Sequence, residues 1–83
     1  RSEIKVSAGT TSIGRGVDND IVFTSRSISR VHADLILDSD GFAIEDRGST
    51  NGTFVNSSRV SFCVLRDGDI VEMGDTKLRV TMV

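Results

Sequence analysis

The chain has one cysteine and one histidine, at no ligand spacing, so no metal site is expected. Cys63 cannot close an internal disulfide, which suits a reducing compartment and makes an intracellular protein the expectation. It sits in the apolar run Val60 to Leu65, where a buried, inert thiol is expected rather than a nucleophile. No stretch approaches the ~20 apolar residues of a membrane span, so no membrane partner is expected. A basic excess is also missing: the net charge of −2 argues against a general nucleic-acid binder. No apolar stripe keeps helical spacing for three turns. Gly14-Arg15-Gly16 is followed by neither Gly-Lys-Ser/Thr nor Gly-x-Gly-x-x-Gly, so no nucleotide loop and no cofactor are expected. There is no recognisable leader, and the chain opens on Arg1 rather than methionine. The expectation is a single domain over residues 1–83, excised from a longer protein.

What the chain does have is alternation. Its 83 residues make one small domain, able to bury roughly 60–65% of its unfolded surface. Ile4 and Val6 alternate with polar neighbours, Ile21-Val22-Phe23 is a compact apolar run, and Ala33, Leu35 and Leu37 share one face. Phe42 and Ile44 follow the turn dipeptide Asp40-Gly41. Ile70, Val71 and Met73 follow Asp67-Gly68, and Leu78, Val80 and Met82 close the series. Short period-two segments separated every eight to twelve residues by turn signals predict an all-β sandwich or barrel. In a sandwich the loops gather at the two ends of the sheets, where a rigid scaffold can present functional side chains.

Three stretches carry side chains suited to such loops. Ser49 to Asn56 contains Asn51-Gly52, a strong hairpin signal. It would display Ser49, Thr50 and Asn51 at a loop tip, anchored by Phe54 or Val55. The others are Ile13-Gly14-Arg15-Gly16 and Ser27-Ile28-Ser29-Arg30-Val31-His32. From residue 15 to residue 59 every basic residue is an arginine: Arg15, Arg26, Arg30, Arg47 and Arg59. Guanidinium forks, hydroxyls and free amides together suit a phosphate better than any other common ligand.

Other chemistries fit less well. Ser29, His32 and Asp46 hold the residue types of a hydrolase triad, but Ser29 lacks the glycines of a nucleophile elbow, and no catalytic residue is assigned. Asp18-Asn19-Asp20 and Asp38-Ser39-Asp40-Gly41 lack the distal glutamate of a calcium loop. Asn51-Gly52-Thr53 and Asn56-Ser57-Ser58 satisfy the glycosylation sequon, which matters only in a secreted chain.

Gly14-Arg15, Ser29-Arg30-Val31-His32 and Gly48-Ser49-Thr50-Asn51-Gly52-Thr53-Phe54-Val55-Asn56 occur in this order and spacing, with Asp67-Gly68-Asp69 after them. Together they resemble the forkhead-associated (FHA) domain family, from about Val6 to Val80. The resemblance implies a β-sandwich of two mostly antiparallel sheets, about eleven short strands, and ligand loops at one end. It implies a phosphothreonine-dependent module that binds proteins or peptides in signalling or regulatory assembly, and not an enzyme. Arg15 and Ser29 would contact the phosphate, with Arg30 as a further basic contact and Thr50 contributing from the third loop. Asn51 would hold the peptide main chain. Gly14, His32, Gly48 and Asn56 would shape the loops. The segment before Ser29 would help set the residue preferred three places after the phosphothreonine, with Arg26 and Ser27 as specificity residues and Arg26 favouring an acid there.

Elementary chemistry agrees with those roles. Phosphothreonine carries about −1.5 to −2 charges and three acceptor oxygens. Charge-assisted hydrogen bonds of roughly 1.5–3 kcal/mol each, two or three in number, give a transient signalling affinity. The competing reading is a β-sandwich that binds a protein partner without phosphate, through a sheet face or edge.

Overall fold

The structure is a computed structural model that describes residues 3–82; Arg1, Ser2 and Val83 of the expected domain lie outside them. The described residues form nine strands. These are β1 (Gly9–Gly14), β2 (Ile21–Val22), β3 (Ala33–Asp38), β4 (Gly41–Asp46), β5 (Thr53–Val55), β6 (Ser58–Val60), β7 (Phe62–Val64), β8 (Ile70–Met73) and β9 (Thr76–Arg79). One sheet runs β2-β1-β3-β4-β7 and the other β6-β5-β8-β9. Only β1 and β2 pair in parallel; the remaining pairs are antiparallel. The alternation read from the sequence places the core. Thr11, Leu35, Ile44 and Cys63 stand in one cross-strand row. Leu35 and Ile44 face Val55, Val71 and Met73 of the second sheet in a single apolar cluster. Strand period two puts the next row, Ile36, Ala43 and Val64, on the outer face.

The strand count is nine where eleven were expected. Ile4 and Val6 alternate as a strand should, yet Val6 packs on the core without joining a ladder, and Ile4 is exposed. At the other end, Val80 trades its backbone bonds with the turn, accepting from Gly68 N–H and donating to Asp69 O, instead of extending β9. Cys63 is half-buried rather than buried, because β7 is the outer strand of its sheet.

The hairpin signal at Asn51-Gly52 is also corrected. These residues lie between β4 and β5, which belong to different sheets, so they form part of a crossover loop. The two-residue hairpin comes next, at Asn56-Ser57 between β5 and β6, with φ of 49° and 73°. Two successive positive φ values match the right-handed twist of the flanking strands. Asn56 Nδ2 donates to Asp69 Oδ1 at 2.9 Å and its Oδ1 accepts from Ile70 N–H at 3.0 Å. Asn56 therefore fastens a turn at the far end of β5, away from Asn51.

Candidate functional site

Ile28 is the key to the second loop, the segment between β2 and β3. It is fully buried, so a loop residue plugs the core and fixes Ser27 and Ser29 on either side. The first loop, between β1 and β2, runs beside it. Arg15 N–H donates to Ser29 O at 2.9 Å, Gly16 N–H to Arg30 O at 3.0 Å, and His32 N–H to Ile13 O at 2.9 Å. This close approach requires a glycine at 14, because a Cβ there would come within 2.2 Å of Arg30 O. Asn19 adds a clamp, with Nδ2 donating to Gly16 O and Arg30 O at 2.8 and 2.7 Å. On this frame Arg15 Nε donates to Ile28 O at 3.1 Å, which aims the rest of an exposed guanidinium outward.

The third loop, between β4 and β5, is built around Asp46. Its Oδ2 accepts from Gly48 N–H and Ser49 N–H, both at 3.0 Å. Its Oδ1 accepts from Ser49 Oγ at 2.5 Å and Thr53 Oγ1 at 2.8 Å. Ser49 Oγ in turn accepts from Gly52 N–H at 3.0 Å. Ser49 is thus buried, not displayed at the tip: a hydroxyl beside a carboxylate is better satisfied inside than in water. Thr50 and Asn51 remain exposed, and Gly48 takes a φ of 75° where the loop bends.

Burial raises the Asp46 carboxyl, but the bonds from the Ser49 and Thr53 side chains and from the Ser49 and Gly48 amides outweigh it and hold the group below its ordinary value. Lowering the folded pKa means that the ionised form stabilises the fold. That contribution is fully present above the unfolded value of about 3.9 and is lost as pH falls through the folded value. Melting temperature should therefore stay flat from neutral pH to about 5 and fall below about 4, with a smaller fall in Asp46→Asn. An equal fall in both proteins would show that Asp46 is not the group responsible.

The three loops meet at Ser29. Its Oγ accepts from Thr50 N–H at 2.9 Å, which leaves the hydroxyl proton free to donate. Asn51 Nδ2 donates to Ser27 O at 2.8 Å and keeps its own carbonyl for a ligand. Beneath them His32 is fully buried. Its Nδ1 accepts from Ser29 N–H at 3.1 Å, so the ring proton sits on Nε2, 2.9 Å from Gly52 O. One imidazole thereby ties the second loop to the third. Both ring nitrogens are occupied by backbone groups, so His32 cannot act as a base for the Ser29 hydroxyl.

The turn between β8 and β9 completes the frame. Asp75 Oδ1 accepts from Ser25 Oγ at 2.8 Å and Ser27 Oγ at 2.9 Å, bonds that hold its carboxyl below the ordinary value. Of the expected specificity residues, only Arg26 is exposed and unencumbered; the Ser27 hydroxyl is taken up by Asp75. Arg30 is exposed and its Cγ lies over Gly16.

Among the described residues the one ion pair is Arg47 with Asp34, at 2.6 Å. Arg15, Arg26, Arg30 and Arg59 have no carboxylate partner there. No cluster of three metal-ligating side chains occurs among the described residues, nor any helix long and apolar enough to cross a membrane. The junction can therefore offer an anion a guanidinium, a hydroxyl proton and an exposed amide side chain. Asp46 and Asp75 do most to hold it together, and sequence reasoning did not single out either as a loop support. Asp46-Arg47-Gly48-Ser49 does carry the signature of an Asp turn that caps the amides two and three residues on. Asp75 gives no such local sign, because its partners are distant in sequence.

The family model for the FHA domain matches residues 11–74. The ATP-binding/permease protein Rv1747, an ABC transporter of Mycobacterium tuberculosis, is 47% identical over 70 residues, covering 84% of this chain and 8% of that protein. The glycogen accumulation regulator GarA of Mycolicibacterium smegmatis is 44% identical over 69 residues, covering 83% of this chain and 44% of GarA. The match thus covers less than half the length of either relative. The solved structure of Mycobacterium tuberculosis EmbR in complex with a low-affinity phosphopeptide superposes with a TM-score of 0.85 at 37% identity, covering 92% of this chain and 20% of EmbR. Two β-sheets around one core, loops joined at Ser29, and a match over most of the sequence lead to one conclusion: the chain belongs to the FHA domain family.

Proposed function

We propose that this chain is a phosphothreonine-dependent binding module for signalling or regulatory assembly inside the cell, and not an enzyme. The carrying observation is the Ser29 junction. Thr50 N–H occupies the acceptor side of Ser29 Oγ, leaving its proton to donate, beside an Arg15 guanidinium held on Ile28 O. A phosphate seated there receives the Ser29 hydroxyl and the free nitrogens of Arg15, with Arg30 adding charge. Asn51 presents a carbonyl to a peptide N–H. The partner is a protein or peptide carrying phosphothreonine, and no nucleic acid or membrane is needed. The phosphopeptide complex of EmbR supports the ligand class.

Titration with matched threonine, phosphoserine and phosphothreonine peptides tests the proposal. The threonine peptide should not bind measurably. Phosphothreonine should exceed phosphoserine by about fourfold, the value of one buried methyl at ~0.8 kcal/mol, helped by its stiffer χ1. Equal binding of threonine and phosphothreonine would refute the proposal and favour a phosphate-independent partner. The surface for such a partner would be the outer face of β4 and β7, where Phe62 and Val64 are more than half exposed.

A further inference from the structure

Asn51-Gly52 makes no hairpin, but the pair carries a covalent chemistry of its own. Asparagine is thermally labile. Its side-chain amide is open to attack by the next backbone nitrogen, above all where that residue has no Cβ to shield it. The asparagines of the chain are followed by Asp20, Gly52 and Ser57, so Asn51 alone has an unshielded neighbour. In the attack a base takes the Gly52 N–H proton and the nitrogen bonds to Asn51 Cγ. The Cγ–Nδ2 bond breaks, Nδ2 leaves as ammonia, and a cyclic imide remains. Water then opens the ring at either carbonyl. The product at position 51 is aspartate, or isoaspartate, in which the main chain runs through the former side chain.

The folded loop keeps both reacting groups out of use. Gly52 N–H is buried and donates to Ser49 Oγ at 3.0 Å. Ser49 is 8% exposed, so a base in the solvent does not reach that proton. The buried base nearby is His32, whose Nδ1 already accepts from Ser29 N–H. Its Nε2 lies 2.9 Å from Gly52 O, which fixes the glycine at its other end. Asn51 Nδ2 donates to Ser27 O at 2.8 Å, and so holds the side-chain amide on the second loop. Asn51 is nevertheless exposed, so water is at hand whenever the third loop opens.

Either product undoes the Ser29 junction. An aspartate carboxylate has no proton to give Ser27 O, so two acceptors face each other where the bond was. It also puts a negative charge beside the seat of a phosphate. Isoaspartate lengthens the main chain by a methylene between Thr50 and Gly52. Thr50 N–H is bonded to Ser29 Oγ, and Gly52 is bonded to Ser49 and His32, so both attachments cannot keep their places.

We propose that Asn51 is a latent deamidation site, silenced by the closed third loop, and that its conversion when the loop opens ends phosphopeptide binding by that chain. The loss of binding rests on the phosphopeptide reading above; the silencing does not.

The test ages the chain at mildly alkaline pH, folded and in urea. The aged protein is then digested, and mass spectrometry locates the amide-to-acid change. In urea Asn51 should convert first, ahead of Asn19 and Asn56. In the folded chain it should convert more slowly by about tenfold or more, a factor set by how seldom the loop opens. With urea raised but kept below the unfolding transition, its rate should rise in step with hydrogen exchange of the Gly52 amide, because one opening exposes both. Ser49→Ala removes the acceptor of Gly52 N–H. It should speed conversion at Asn51 in the folded chain and leave Asn56 unchanged. Equal rates at Asn51 in the folded and unfolded chain, or a rate that ignores Gly52 exchange, overturn the proposal. An equal acceleration of Asn51 and Asn56 in Ser49→Ala would assign the protection to global folding and overturn the role of the loop. Converted chains carry an added negative charge and are separated by anion exchange. They should bind a phosphothreonine peptide more weakly than the unaged chain by about tenfold or more. Undiminished binding overturns the claimed loss. If the unaged chain binds phosphothreonine and threonine peptides alike, the phosphopeptide reading fails and the claimed loss falls with it, while the mass measurements still decide the silencing.

Discussion

Arg15→Ala should bind a phosphothreonine peptide roughly 30-fold more weakly than the parent, or worse, while its stability changes by no more than about 1 kcal/mol. The two effects separate because the side chain has two unequal duties. Toward the protein it makes one hydrogen bond, from Nε to Ile28 O, in a part-buried place. Such a bond contributes about 0.5–1.5 kcal/mol net. Toward the ligand it offers the remaining nitrogens with no carboxylate competing for them among the described residues. Loss of a charge-assisted fork from a phosphate costs roughly 2 kcal/mol or more, which is that 30-fold. Arg15→Lys should fall between, since an ammonium keeps the charge but cannot make two parallel bonds or reach Ile28 O in the same geometry. Calorimetric titration and thermal melting on the three proteins give both numbers. An Arg15→Ala protein that melts early and binds like the parent would make Arg15 a structural residue.

The opposite pattern is expected at Asp46. Asp46→Ala removes four hydrogen bonds and strands the hydroxyls of Thr53, fully buried, and Ser49, nearly so. Unsatisfied buried groups cost about 1–3 kcal/mol each. The total should be roughly 3 kcal/mol or more, which in a domain this small lowers the melting temperature by about 12–24 °C. Asp46→Asn should recover little of it. One oxygen can accept from only one side of the carboxylate's four donors, and the new NH2 would point at the others. Peptide binding should weaken in both variants, because Thr50 and Asn51 are held in place by the loop that Asp46 ties. Melting temperatures within a few degrees of the parent would show that the carboxylate network is dispensable.

These two residues also mark what could be read in the sequence. Period-two alternation placed β3, β4 and β8 and their buried faces, because strands packed on one side must alternate. It misled at Ile4 and at Met82, where alternation alone does not supply a neighbouring strand. Arg15, Ser29, Thr50 and Asn51 were legible as a group only through their order along the chain, and the fold does bring their loops together at the Ser29 hydroxyl. The supports were far less visible. Asp75 holds Ser25 and Ser27 from 48 to 50 residues away, a pairing that no local pattern announces. Ile28 stands alone between two serines, outside any alternating run, yet it is the plug that positions both. Ser49 looked like a displayed hydroxyl, and only the carboxylate three residues upstream explains its burial.

The central claim is that a phosphate seats where Arg15, Ser29 and Thr50 meet. It is tested most directly by following backbone amide resonances while a phosphothreonine peptide is added. The account predicts changes concentrated at Arg15, Gly16, Ser29, Thr50 and Asn51, absent with the unphosphorylated peptide. Asn56 and Asp69, at the far end of β5 and β8, should stay still, as should Ile36, Ala43 and Val64 on the outer face. Changes centred on Phe62 and Val64, the same with and without the phosphate, would contradict it.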